Sequence, residues 1–96
     1  MNIYYLMIEA VPDKSNPESK QFGGAFINFW VKTETVKEAL EETKKYISEE
    51  NWKYIKTEEM FIVERDFYID NPESLEYYDN ACECGMSVCF YMWLKK

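Results

Sequence analysis

Residue types that can do chemistry are plentiful in this sequence, but they lack the partners that would make them a site. Three cysteines cluster in the run Cys82-Glu83-Cys84-Gly85-Met86-Ser87-Val88-Cys89. Structural zinc usually takes four Cys or His ligands, and the chain has three Cys and no His. Cys82 and Cys84 also sit about 200° apart around a helix, so they converge only if the helix stops before Cys84. Small buried apolar residues are the plainer reading of Cys82 and Cys89. No metal and no cofactor is expected.

Carboxylates give a second candidate. Glu64 and Asp66 flank Arg65, the single arginine of the chain. On a strand the two acids share one side and the guanidinium takes the other. An ion pair between Arg65 and the acidic helix that follows is therefore expected, rather than a catalytic cluster. The absence of His removes the commonest acid–base group near neutral pH. Gly23-Gly24 is not a phosphate-binding loop, and the stretch from Asp66 to Asp70 lacks the spacing and glycine of a calcium loop. The expectation is a non-enzymatic protein with no catalytic residues.

Charge placement is more informative. The net charge is −7, and residues 57–83 hold nine acids against one base, Arg65. Across one face of the second helix run Glu73, Glu76 and Glu83, with Asp79 nearby and Tyr68 and Tyr77 interleaved. Tyrosine beside carboxylates suits a protein-binding surface, because Tyr supplies contact area at low entropic cost. Acids steer a basic partner and speed its association. These six residues are the expected partner-binding set, and an inhibitor or immunity-type protein directed at a basic protein is the most concrete version. A surface this acidic would repel a nucleic-acid backbone and an anionic membrane.

The elements that must position these residues follow from periodicity. Residues 2–11 alternate as a strand, with Tyr4, Leu6, Ile8 and Ala10 on one side and Ile3, Tyr5 and Met7 on the other. After a polar loop, residues 25–32 alternate again: Ala25, Ile27, Phe29 and Val31 form a uniformly apolar side. A helix over 34–49 carries Val36, Ala39, Leu40, Thr43 and Ile47 in one stripe; Thr35 and Glu38 are spaced as a capping box, and Thr33 is an equally good N-cap. Residues 52–68 are either one long bent strand or a hairpin turning at Thr57-Glu58-Glu59; the single strand is preferred, since that turn lacks Gly, Asn and Pro. The second helix is bounded by Asp70 or Asn71, by Pro72 at its first position and by Gly85 after its end. Leu75, Tyr78 and Cys82 should face inward, and residues 86–94 form a last strand.

The order is ββαβαβ in a single α+β domain over residues 1–96. Right-handed crossovers would put both helices on one sheet face. The expected fold is a two-layer sandwich, about four strands in an antiparallel or mixed sheet backed by two helices. It is similar to the ferredoxin-like class without matching its strand order.

That arrangement leaves one sheet face bare, and Phe26, Trp30, Tyr91 and Trp93 would lie on it. An exposed aromatic patch marks a contact surface, so a homodimer through this face is expected. The alternative is a homodimeric small-ligand-binding domain or minor enzyme that uses the aromatic face, with Glu64 or Asp66 acting on the ligand. No targeting segment or membrane span is evident at the N-terminus, and an odd cysteine count is not a secreted disulfide framework. The expected compartment is the cytoplasm.

Overall fold

The computed structural model describes residues 1–96. The strands are β1 (Asn2–Pro12), β2 (Phe22–Thr33), β3 (Trp52–Val63) and β4 (Met86–Leu94). Helix α1 (Val36–Glu49) joins β2 to β3, and α2 (Pro72–Cys84) precedes β4. Single 3-10 turns occupy Pro17–Lys20 and Arg65–Tyr68. The class is α+β, with one sheet in the order β3-β1-β2-β4 and every neighbouring pair antiparallel.

The helix ends form where the local chemistry dictates. Thr35 accepts from the Glu38 backbone N–H, and its hydroxyl donates back to the Glu38 carboxylate. The first bond satisfies a backbone N–H that the first turn leaves free, and the second ties the two side chains together. Asn51 takes φ 63° just beyond α1, a conformation that Asn tolerates. Asn71 caps α2 by accepting from Ser74 N–H, and Pro72 follows it. Gly85 closes α2 at φ 95° and returns its N–H to the Ala81 carbonyl. A side chain there would be strained by the backbone alone.

Strand β3 is indeed one bent strand and ends at Val63, short of the expected 68. Its register against β1 slips between Met7 and Ile8 and again between Glu9 and Ala10. Each slip is a β-bulge, which bends the strand and increases its twist. The polar loop after β1 is tied down by Asn16. Its side chain accepts from Glu18 N–H and donates to the Asn51 carbonyl, so the loop is fastened to the α1–β3 turn.

The expected single helical layer is corrected. Helix α1 packs on the uniformly apolar side of β2 (Ala25, Ile27, Phe29 and Val31) together with Leu6, Ile8 and Ala10 of β1, whose inward side the alternation alone left open. Helix α2 packs on the opposite face, where Ala81 joins Ile3, Tyr5, Trp30 and Val63. The reason lies in strand direction. β2 and β3 both run antiparallel to β1, so they are parallel to each other and α1 is a true crossover. β4 is antiparallel to β2 and therefore to β3. The handedness rule governs only parallel connections, so it never constrained α2. The likeness to the ferredoxin-like class extends to the α+β composition and the four-stranded antiparallel sheet.

Candidate functional site

Helix α2 is fastened to the sheet at its C-terminal half. Lys32 Nζ donates to the Cys82 carbonyl at 3.0 Å, where a cation also meets the negative end of the helix dipole. Ser87 Oγ donates to the Tyr77 carbonyl at 2.6 Å. Ala81 is fully buried against Trp30 and its neighbours. The N-terminal turn, by contrast, forms one wall of an open cleft of about 340 Å³. That volume lies at the lower end of the range for small-ligand sites.

Each wall comes from a different element. The sheet supplies Tyr5 from β1, Asn28 and Trp30 from β2, Glu59 and Phe61 from β3, and Tyr91 from β4. The 3-10 turn after β3 supplies Phe67 and Tyr68, and α2 supplies Asn71, Glu73, Ser74 and Tyr77. Register explains the sheet part: Trp30 and Phe61 are the two cross-strand partners of Tyr5. Tyr5 is tilted against both, with ring centroids 5.4 and 5.2 Å away. Trp30 lies flat on Tyr77, at 4.8 Å between centroids and 3° between planes. Its indole N–H donates to the Tyr68 hydroxyl at 2.8 Å, a buried bond that fixes the 3-10 turn on the sheet.

The electrostatics of the cleft are one-signed. Two carboxylates, Glu59 and Glu73, line it, and no lysine or arginine does. Burial, followed by the Glu59 charge, pushes the Tyr5 phenol up to about 12. Hydrogen bonding to Cys89 and the Cys89 charge, ahead of burial, hold Tyr77 up at about 12. Tyr91 and Tyr68 are raised as well, the first mainly by Cys89 and the second mainly by burial. The phenols therefore stay protonated near neutral pH. They present ring faces and O–H groups, not phenolate nucleophiles or bases.

One polar atom on the floor has no partner. Asn28 Oδ1 is shut off from solvent and makes no hydrogen bond. Buried acceptors are usually satisfied.

The structure brings together some of the residues singled out in the sequence and disperses others. Glu73, Tyr68 and Tyr77 meet at the cleft. Tyr68, at 7% exposure, is an interior support rather than a contact surface. Glu76 and Glu83 are exposed on α2. Asp79 is engaged by Arg65, whose Nε and terminal nitrogen reach the two carboxylate oxygens at 3.0 and 3.1 Å. The expected pairing of Arg65 with the acidic helix is found, although Arg65 starts a 3-10 turn and is not in the strand. Trp30 is not on a bare face; α2 covers it, leaving 3% exposed. Phe26 and Trp93 remain partly open and pack on each other at 5.2 Å, with Tyr91 beside them on β4. All three cysteines are free thiols, and no three of His, Cys, Asp or Glu are grouped to hold a metal ion.

Tyr5, Asn28, Glu59, Phe61, Phe67, Asn71 and Ser74 are cleft residues that the sequence does not single out for a site, although Asn71 is legible as a cap and Glu59 lies in the acidic segment. Asn28 carried a usable signal: it is the polar residue in the run from Ala25 to Val31, and a lone amide there marks a place where the sheet face is not simply packed. No helix is long and apolar enough to cross a membrane. Comparison with family models, with curated proteins and with solved structures gives no match to this chain.

Proposed function

We propose that this chain is a non-enzymatic acidic binding protein that recognises a basic protein partner through residues 57–83. The observation that carries the reading is the cleft under α2, whose charged lining is carboxylate alone. The acids around it are also unspent. The chain forms two ion pairs, Lys56–Glu58 and Arg65–Asp79, and Glu59, Glu73, Glu76 and Glu83 are in neither. Unpaired carboxylates attract cations over about a Debye length, ~8 Å at physiological salt. An inhibitor or immunity-type protein is the most specific form of this proposal.

Binding to lysine- and arginine-rich peptides, titrated at low and at high ionic strength, tests it. Affinity should fall steeply with salt. It should be lost in the triple variant Glu73→Lys, Glu76→Lys, Glu83→Lys while thermal stability is kept. Equal affinity for the wild type and the folded triple variant would end this reading.

A second reading concerns self-association. Phe26, Tyr91 and Trp93 form an exposed group toward the end of β4, with Leu94 also exposed. This smaller patch, without Trp30, is the part of the aromatic face available to a second copy. Sedimentation at micromolar concentration should show a dimer that Trp93→Ser disrupts; a wild-type monomer would eliminate it.

A further inference from the structure

We infer that the cleft under α2 is a receptor for a single arginine side chain of the partner, an inference that rests on the basic-partner reading and makes it specific. Three features converge on a guanidinium. The walls are largely aromatic: Tyr5, Phe61, Tyr77 and Tyr91 ring a volume of about 340 Å³, and cations are drawn to aromatic ring faces. Glu59 enters from β3 and Glu73 from α2, so negative charge stands on two sides of the same space. Asn28 adds a side-chain amide to the lining of the same cleft.

A guanidinium satisfies all three. It is planar and weakly hydrated, stacks on aromatic rings, and carries five N–H donors for carboxylate and amide acceptors. A lysine ammonium is more strongly hydrated and cannot stack, so an aromatic slot serves it less well. A quaternary ammonium has no N–H to give the carboxylates or an amide oxygen. An anion is excluded by the two carboxylates. The positive end of the α2 dipole opposes a cation here, but Ser74 N–H is already taken by Asn71 and Glu73 sits in the first turn. Both reduce the free positive end.

The rings are placed before any ligand arrives. Trp30 is held by its bond to Tyr68 and by the flat contact with Tyr77, and Tyr5 packs on Trp30 and Phe61. Phe61 and Phe67, at 40% and 69% exposure, are the open lip over which a side chain would enter.

The test uses the full chain and blocked amino acids, N-acetyl and C-methylamide, followed by amide and aromatic NMR shifts. Blocked arginine should shift Tyr5, Asn28, Phe61 and Ser74 at concentrations on the order of 10 mM. Blocked citrulline keeps the planar shape and replaces the charged guanidinium by a neutral urea. It should bind about tenfold more weakly, the size of a partly desolvated cation–π contact. Blocked lysine should fall between them. Glu59→Gln and Phe61→Ala should each weaken arginine several-fold, while Glu41→Gln on α1 should not. Equal binding of arginine and citrulline, shifts mapping away from the cleft, or no shifts at all would overturn the inference. If basic peptides still bind with the expected salt dependence in that case, the acidic-surface reading survives alone. If blocked arginine seats in the cleft but basic peptides do not bind, that broader reading fails and the receptor stands.

Discussion

The two faces of the sheet solve the same problem of burial with different materials. On the α1 face a centre of aliphatic residues and Phe29 is shut in under Ala39, Thr43 and Ile47, and aromatic rings (Trp52, Tyr46, Tyr54 and Phe90) stand at its margin. Even the buried Thr43 hydroxyl is satisfied there, by the Leu40 carbonyl at 2.8 Å. On the α2 face rings reach the centre: Tyr5, Trp30 and Tyr68 are buried beside Ile3, Val63 and Ala81, and the helix leaves a cleft lined by Phe61, Phe67 and Tyr77. Branched aliphatic chains interdigitate to a dense, featureless core. Large flat rings pack at fixed tilts and carry polar ends that must find partners. A face built of them accommodates a cleft without collapsing, which is what a preorganised site requires.

The sharpest way to break the comparison is to truncate one phenylalanine on each face. Phe29→Ala removes a fully buried ring from the α1 face and should cost about 3–5 kcal/mol in urea unfolding. Phe61→Ala on the cleft lip should cost about 1 kcal/mol or less, since that ring is already partly in water. Comparable losses would show that the α2 face is as tightly closed as the other.

Tyr68→Phe tests the polar ends. It leaves the buried Trp30 indole N–H without its acceptor, and a cost of about 1–3 kcal/mol is expected. Tryptophan fluorescence should change with it; an unchanged stability would mean that water replaces the phenol.

Gly24→Ala probes how the rim is packed. A Cβ at Gly24 would clash with the Trp93 ring and come within 3.0 Å of the Ala10 carbonyl oxygen. Glycine is thus required by the close approach of the indole. The partly exposed Trp93 should swing outward at a cost of about 1 kcal/mol, with its near-ultraviolet dichroism lost. A retained signal would place the indole elsewhere.

The smallest effect is confined to high pH. The Tyr5 phenol titrates at about 12 in the folded chain, against about 10 in an unfolded one. The folded state holds this proton more tightly, so its contribution to stability is complete below about pH 10 and is lost as pH rises through 12. Unfolding midpoints should decline over that interval in the wild type and less in Tyr5→Phe. Identical alkaline profiles would remove Tyr5 from the account.

Local chemistry explains what was legible. The Thr35 box, the Asn71 cap with Pro72, and Gly85 are decided by neighbours a few residues apart, so the sequence determined both helices almost to their ends. Period-two alternation likewise determined which residues of β1, β2 and β4 share a face, and composition alone determined the acidic segment. The tertiary structure decided where α2 goes. Its connection joins antiparallel strands at opposite edges of the sheet, and no local signal carries that direction. From that one placement follow the burial of Trp30, the cleft beneath the N-terminal turn, and the meeting of Glu59 with Glu73. They are 14 positions apart in the sequence and line one cleft only because strand register and helix packing bring β3 and α2 to the same side.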